Sequence, residues 1–467
     1  MIRNRNITAA GWYTVSNFIS KCMIYIFTPY YTRLLSEADY GQLNNFSSWR
    51  SVLLVLLTFD LYSTIPVAYI DYNKEDFNEY VSTISIFSIF FPFLICVSLN
   101  ILKVQVSTIT SINIIYLPVL FLSIVLSAPL LIFQAVQRSQ VKYKASSILT
   151  LISSLSVVLL TLLLVKILEN KLYGVILGSL VGSIIINILV LVILLRKKIC
   201  FQIRYLKYSL QIALPLIPHV IAGTLLGTSD KIMITKICGN EANAFYSLVY
   251  TCSMVVTLLV TSVNNAWVPW FYSQLKENNI KIIQNIVKIT VPIMGLCSLM
   301  FSLVAPEIIK IIGGKAYEVA APLMPPIILS CFVHYLYTLY VNIIFYEKKT
   351  IWISIGTIIS CVTNIILNYI FINSFGYAAA AYTTLFSNIL LLLFNYLVCK
   401  RMNKASVFNT PFLCACLLIF FSLCMMTLIT YNNSIIRIIY IISIITSLTM
   451  FLIKNKKTTA FLIHMFK

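Results

Sequence analysis

Charge is what this sequence has least of, and acid above all. Only 14 of its 467 residues are Asp or Glu, and charged residues make up 10% of the chain, where a soluble domain carries about 25%. So little charged surface excludes an ordinary water-soluble globule of this length. The low charge and the many apolar residues also exclude disorder. Histidine is scarcer still, at 3 residues, and no Cys-x-x-Cys or Cys/His metal spacing occurs. No zinc or haem site can be argued, and no cofactor is implied. Nearly all of the 12 cysteines, Cys96, Cys252, Cys331, Cys361 and Cys424 among them, sit in apolar runs and read as small buried hydrophobes. Long polar stretches are missing too, so no separate soluble domain is expected. The basic start, Met1-Ile2-Arg3-Asn4-Arg5, leads into an apolar run without a small-residue cleavage site. It reads as a first membrane helix that stays attached.

What is abundant is apolar: hydrophobic residues make up 60% of the chain. A transmembrane helix needs about 20 of them in a row. Fourteen such stretches lie near residues 9–30, 46–68, 81–102, 114–136, 145–166, 172–195, 209–229, 244–266, 285–305, 322–345, 351–372, 377–399, 411–430 and 435–453. The expected class is therefore an all-α polytopic membrane protein with about 14 transmembrane helices. The formal net charge is +20. A basic balance can mark nucleic-acid binding, but the apolar fraction rules that out, and no nucleic-acid partner is expected. The basic residues are instead sorted. Alternate breaks, tails included, hold 22 of the 34 Lys and Arg, among them Arg138, Lys142, Arg196, Lys197, Lys198 and Arg401, while the opposite breaks hold 9. Lys and Arg accumulate on the cytoplasmic side, so both termini are expected there.

The chain also repeats itself. Thr32-Arg33-Leu34-Leu35-Ser36-Glu37-Ala38-Asp39-Tyr40 after the first stretch is echoed by Thr235-Lys236-Ile237-Cys238, Glu241-Ala242-Asn243 and Tyr246 after the seventh. Asn170 and Gly174 are echoed by Asn373 and Gly376. Six stretches separate the mates, so the halves run parallel, related by an axis along the membrane normal, as in several transporter folds. The domain reading is an N-terminal six-helix bundle (1–195), a cytoplasmic linker (196–208), a C-terminal six-helix bundle (209–399), and two extra helices with a basic tail (400–467). Two rigid bundles joined by one connection suit alternating access, which an enzyme does not need.

Three strings carry a family resemblance: Pro29-Tyr30-Tyr31-Thr32-Arg33-Leu34-Leu35-Ser36-Glu37-Ala38-Asp39-Tyr40-Gly41; Leu214-Pro215-Leu216-Ile217-Pro218-His219 with Ser229-Asp230-Lys231-Ile232-Met233-Ile234; and Pro306-Glu307-Ile308-Ile309-Lys310-Ile311-Ile312-Gly313-Gly314. They resemble the polysaccharide exporters of the multidrug/oligosaccharidyl-lipid/polysaccharide (MOP) superfamily, above all the Wzx-type flippases of O-antigen or capsule repeat units. The resemblance implies a MATE-like pair of six-helix bundles around a cavity in the bacterial cytoplasmic membrane. It implies transport of an undecaprenyl-diphosphate-linked oligosaccharide, taken from among the membrane lipids, for O-antigen, capsule, exopolysaccharide or lipopolysaccharide synthesis. It also implies a polysaccharide polymerase and a chain-length regulator as partners, and H+ or Na+ as a coupling ion. Lipid-II flippases of the superfamily share the fourteen spans, whereas multidrug extruders usually have twelve.

Such a substrate has an anionic diphosphate, and charges inside spans are the first places to look for its binding site. Lys21 and Arg50 are the leading substrate-binding candidates, because an Arg can grip phosphate through two parallel bonds and a Lys as a point charge. The competing reading is that both snorkel to the headgroups. Arg33, Lys231 and Lys236, just outside the membrane, join the substrate-binding set. Asp60 is the one carboxylate placed well inside a span and is a coupling candidate, as is His219 with its near-neutral titration. Asp230 is a gating candidate beside Lys231. Pro215 and Pro218 free backbone groups and permit a bend in the seventh span. His334 with Tyr335, Tyr337 and Tyr340 can stack on sugars or simply fill the core, and Asn264, Asn265, Asn364 and Asn368 can line a cavity or bridge helices. An ion-coupled multidrug exporter of the same fold and a membrane-embedded polysaccharide polymerase are the alternative functions. The polymerase is disfavoured because Glu37 and Asp39, the one close acidic pair on the expected outer side, have repeat mates that suggest a structural turn.

Overall fold

The computed structural model describes residues 25–431 and 433–454, together with Ser16, Ile19, Ser20, Cys22 and Met23. Every regular element among the described residues is helical, as the composition led us to expect. The chain divides into two compact units at Ala244 and Phe245. The first holds α1 (residues 25–34), α2 (Glu37–Thr58), α3 (Ile65–Asp71), α4 (Lys74–Ile101), α5 (Lys103–Thr110), α6 (Leu117–Val125), α7 (Ala128–Ser139), α8 (Tyr143–Ile167), α9 (Lys171–Leu195), α10 (Ile203–Ala213) and α11 (Ile217–Cys238). Helix α12 (Asn240–Lys276) starts at the end of this unit. The second continues with α13 (Ile280–Leu303), α14 (Ala305–Gly313), α15 (Met324–Tyr346), α16 (Ile351–Phe375), α17 (Ala379–Arg401), α18 (Thr410–Thr430) and α19 (Ser434–Lys454).

Among the described residues ten helical segments are long and apolar enough to cross a membrane, and two bent pairs bring the number to twelve. Each falls on one of the expected stretches. The first expected span lies mostly outside the described residues, and the last corresponds to α19, with its apolar run Ile435–Thr446. Ion pairs agree with the alternation of sides. Lys198–Glu79, Arg204–Asp76, Lys404–Glu347 and Arg437–Glu307 each join breaks assigned to the same side.

The two bent pairs have different causes. Helices α10 and α11 meet at 58°. Pro215 stands in the intervening turn and Pro218 in the first turn of α11, so the prolines act where they were expected to. Helices α2 and α3 meet at 55° across Phe59 and Asp60, whose φ values are +51° and +50°. Left-handed backbone is uncommon outside glycine, and no proline or glycine marks this break in advance.

In the first unit, Gly174, Gly178 and Gly182 form a stripe on α9 facing the backbone of α8. A Cβ at Gly178 or Gly182 would lie 2.5 Å from the Cα of Thr161 or Val157. Small residues at this spacing let membrane helices approach to backbone contact. Gly41 on α2 is tighter still: a Cβ there would sit 1.7 Å from the carbonyl oxygen of Asn240. The Asn243 amide donates to the Gly41 carbonyl at 2.9 Å, and the Asn240 amide to Gln42 Oε1 at 2.7 Å. The two echoing strings therefore form helix–turn–helix corners that touch. Ser36 caps α2, accepting from the Asp39 N–H at 3.1 Å, which makes the Ser36–Asp39 corner a structural turn.

The connection 196–208 lies inside the first unit and is bound to α3 and α4. Lys198 and the Gln202 amide both donate to Glu79, the latter at 2.7 Å. The Tyr205 hydroxyl reaches Asp76 at 2.7 Å and that of Tyr208 reaches Asp71 at 2.5 Å. The Cys200 N–H donates to Ser82 at 2.9 Å. Bonding to Glu79 holds the Lys198 ammonium above the ordinary lysine range. Tyr72, Tyr80, Tyr205 and Tyr208 pack as an aromatic cluster beneath.

In the second unit α15 is apolar on nearly every face and buried on nearly every face, as such a helix must be. It packs among α13, α17 and α18. Helices α16 and α17 are joined by buried side chains: the Asn364 amide donates to Thr384 at 3.3 Å, the Asn368 amide to Asn364 Oδ1 at 3.1 Å, and the Thr383 hydroxyl to Asn368. Asn342 bridges α15 to Asn264 of α12 at 2.9 Å. These asparagines bridge helices.

Two outcomes follow from this packing. Gly41→Ala will lower the thermal midpoint of the purified protein, with overpacking costing about 1–3 kcal/mol. Gly223→Ala, where an added Cβ meets nothing within 4 Å, will hold or raise it. Equal midpoints would contradict the close approach at Gly41. Limited trypsinolysis reads the connection: Glu79→Ala will speed cleavage after Arg196, Lys197 and Lys198, because three of the segment's side chains lose a shared acceptor.

Candidate functional site

Arg50 sits on α2, within the second span, and is half-buried. Its Nε donates to Ser123 Oγ at 3.0 Å and one terminal nitrogen to Ser127 Oγ at 2.6 Å. Ser123 is on α6 and Ser127 just precedes α7. Both hydroxyl protons are directed elsewhere: Ser123 donates to the Leu120 carbonyl and Ser127 to the Ser123 carbonyl. Each serine oxygen is therefore turned to Arg50 as an acceptor. Among the described residues no carboxylate lies within 4.0 Å of the guanidinium. A guanidinium carries five N–H donors, and the two serines engage two of them. The remaining donors and the uncompensated charge fit an anion. The serines were not singled out from the sequence, and no local signal marks them.

Asp60 stands at the break between α2 and α3 and is 7% exposed. Its carbonyl accepts from the Ser63 N–H at 3.0 Å and from the Ser63 hydroxyl at 2.8 Å, which satisfies backbone freed by the break. His219 lies in the first turn of α11, half-buried, and its Nδ1 is buried with no hydrogen-bond partner. Asp230 is buried and Lys231 half-buried farther along α11, whereas Arg33 and Lys236 are exposed. Lys21 lies outside the described residues. Arg50, Asp60 and the two serines thus belong to one bent span and its neighbours, while His219, Asp230, Lys231 and Lys236 are spread along α11 and its end. In the second unit Tyr335 and Tyr340 are core residues, and His334 lies against Tyr337 with ring centroids 5.2 Å apart. No group of His, Cys, Asp and Glu suited to a metal ion occurs among the described residues.

Comparison with known proteins places this geometry. The family model described as "Polysaccharide biosynthesis protein" matches residues 8–276, and the MatE model matches residues 215–370. A curated relative, the Lsg locus putative protein 1 of Haemophilus influenzae, is 21% identical over 75% of this chain and 87% of its own length. Among solved structures, the lipid II flippase MurJ in an inward closed conformation superposes with a TM-score of 0.71, covering 94% of this chain and 98% of its own at 14% identity. An inward-facing multidrug resistance MATE family transporter of the MOP superfamily gives 0.64, covering 82% and 98% at 13% identity. A MOP superfamily transporter from Pyrococcus furiosus gives 0.57, covering 85% and 96% at 14% identity. These likenesses show a shared fold. The polysaccharide match spans more than half of the sequence, so this chain, a multi-pass membrane transporter of the MOP superfamily, belongs to the polysaccharide biosynthesis protein family.

Proposed function

We propose that the protein flips an undecaprenyl-diphosphate-linked oligosaccharide repeat unit across the bacterial cytoplasmic membrane by alternating access, as a transporter and not an enzyme. Both termini lie in the cytoplasm on this reading, and the product feeds O-antigen, capsule or exopolysaccharide synthesis. A polymerase and a chain-length regulator act downstream as partners, and proton or sodium entry drives the cycle. The observation that carries the proposal is Arg50: a cation inside a span, held by two hydroxyls and, among the described residues, with no carboxylate within 4.0 Å. A diphosphate matches a guanidinium in charge and in the spacing of its oxygens. The polysaccharide family match and the flippase named among the structural neighbours support the substrate class. Asp60, at a break that already departs from helical geometry, is the proposed coupling group, with Asp230 and His219 assisting along α11. Arg33, Lys231 and Lys236, with Lys21, complete the proposed anionic path. The MatE match keeps ion-coupled drug export as the second reading.

Deletion of the gene separates the two. The flippase reading expects surface polysaccharide to disappear and lipid-linked repeat units to accumulate on the cytoplasmic face. Drug export expects greater drug sensitivity with surface glycan intact. Within the site, Arg50→Ala will slow translocation by roughly tenfold to a hundredfold, the worth of one hydrogen-bonded charge, at unchanged protein level. Arg50→Lys will recover part of this, and Ser123→Ala with Ser127→Ala will cost less than Arg50→Ala. Full translocation by Arg50→Ala would remove the residue from the site.

A further inference from the structure

A second cationic feature lies away from Arg50. Three breaks of the first unit, all assigned to the cytoplasmic side, meet around a cavity of about 400 Å³ lined by Tyr69, Tyr72, Lys74, Phe77, Asn78, Gln140, Lys142 and Lys197. Lys74 and Asn78 come from the start of α4, Gln140 and Lys142 from the turn between α7 and α8, and Lys197 from the segment after α9. The three lysines are distant in sequence, and the fold brings them to one cavity. Among the described residues none of them lies within 4.0 Å of a carboxylate, although Glu79, Asp76 and Asp71 nearby are bonded to Lys198, Arg204, Tyr205 and Tyr208. Glu79 and Asp76 are thus paired with the connection, while Asp71 keeps its charge beside Tyr208 and Glu75 pairs with none of the three lysines, so the three ammonium groups face the cavity without a direct ion pair.

The wall is preorganised. Tyr72 is held edge-on by Tyr205 at 5.2 Å and packs on Tyr208 at 5.1 Å, and Phe77 is buried against Tyr69 at 5.2 Å. Val141, between Gln140 and Lys142, has φ +53°, unusual for a β-branched residue, and so the turn is sharp. Amides and hydroxyls supply donors without adding charge. The volume is within the ordinary range for small-ligand sites. Lysines grip phosphate as point charges, and three of them match the charge of a phosphate monoester or a diphosphate. Ile70 and Ile199, one and two residues along the chain from this lining, are 82% and 77% exposed. Large apolar side chains exposed beside lysines are the pattern of a membrane interface.

We infer that this cavity is a phosphate-binding site at the inner interface of the first unit, which takes the phosphorylated headgroup of an anionic lipid. The site lies at the ends of the spans, and the inference is independent of what Arg50 binds. A soluble diphosphate has the same chemistry, and the experiment tells the two sources apart.

The full-length protein in phosphatidylcholine nanodiscs is titrated with inorganic diphosphate by calorimetry. In a second arm, bound phosphatidic acid is counted by native mass spectrometry. The triple variant Lys74→Ala, Lys142→Ala, Lys197→Ala will bind roughly a hundredfold more weakly, about fivefold per lysine. The triple Lys→Arg variant will retain binding. Lys348→Ala with Lys349→Ala, on another break of the same side, will leave it unchanged and so controls for general surface charge. Binding of phosphatidic acid without diphosphate identifies the lipid headgroup, and equal binding of both identifies the phosphate alone; either supports the site. Undiminished binding by the triple Ala variant, an equal loss in the control pair, or no binding of either probe by the wild type would overturn it. The thermal midpoint of each variant shows whether it folds, and the Lys→Arg variant tests the inference should the Ala variant not fold.

Discussion

Hydrocarbon offers no solvent for a charge and no partner for a loose backbone group, and this constraint arranges the whole molecule. It drives nearly all ionisable residues into the breaks, where some pair locally: Lys198 with Glu79, Lys404 with Glu347, Arg437 with Glu307. It leaves many polar residues inside spans bonded to neighbouring protein groups. Ser48, Thr58 and Ser85 donate to carbonyls one turn back on their own helices. Asn364, Asn368, Thr383 and Thr384 close on each other between α16 and α17. Against that background a cation such as Arg50, held by neutral oxygens alone, stands out more than the same residue would on a soluble surface.

The spans were legible because each needs about 20 apolar residues in a row, and nothing else in the chain has that pattern. Lys and Arg sort the breaks into two sets, and the ion pairs join breaks of the same set. The bend of α10 and α11 was legible too, because Pro215 and Pro218 act locally. The bend at Phe59 and Asp60 was not: neither residue type breaks a helix by itself, and the left-handed geometry depends on Ser63 and on packing around α3. The asparagines were legible as polar groups in apolar spans, but whether they line water or bridge helices depends on the partner helix. Arg50 was identified as an outlier of composition, whereas Ser123 and Ser127, which make it a site, are ordinary residues more than seventy positions away.

The connection 196–208, basic and placed between the two six-span halves, reads in the sequence as the linker that joins them. Its basic residues, however, meet the one region rich in acid. Glu75, Asp76 and Glu79 open α4, and carboxylates near a helix start are favoured there by the helix dipole. Glu79 and Asp76 then collect Lys198, Gln202, Arg204 and Tyr205, and the segment becomes part of the first unit.

That clamp also decides where positive charge is left over. A basic residue paired with acid exerts little field beyond its partner, whereas an unpaired one acts over a Debye length. By pairing with Asp76 and Glu79, Lys198 and Arg204 leave Lys74, Lys142 and Lys197 without a direct ion pair, among the described residues, around one cavity. The excess of basic residues, largely a signal of orientation in the sequence, also has local structure. Most of it is dispersed over exposed breaks, part is neutralised in a structural clamp, and a small part is concentrated at two places, the guanidinium of Arg50 and the three-lysine cavity. On the proposed function such local charge has a use, because dispersed lysines attract any anionic surface equally, while a walled cavity discriminates by the size and valence of the headgroup.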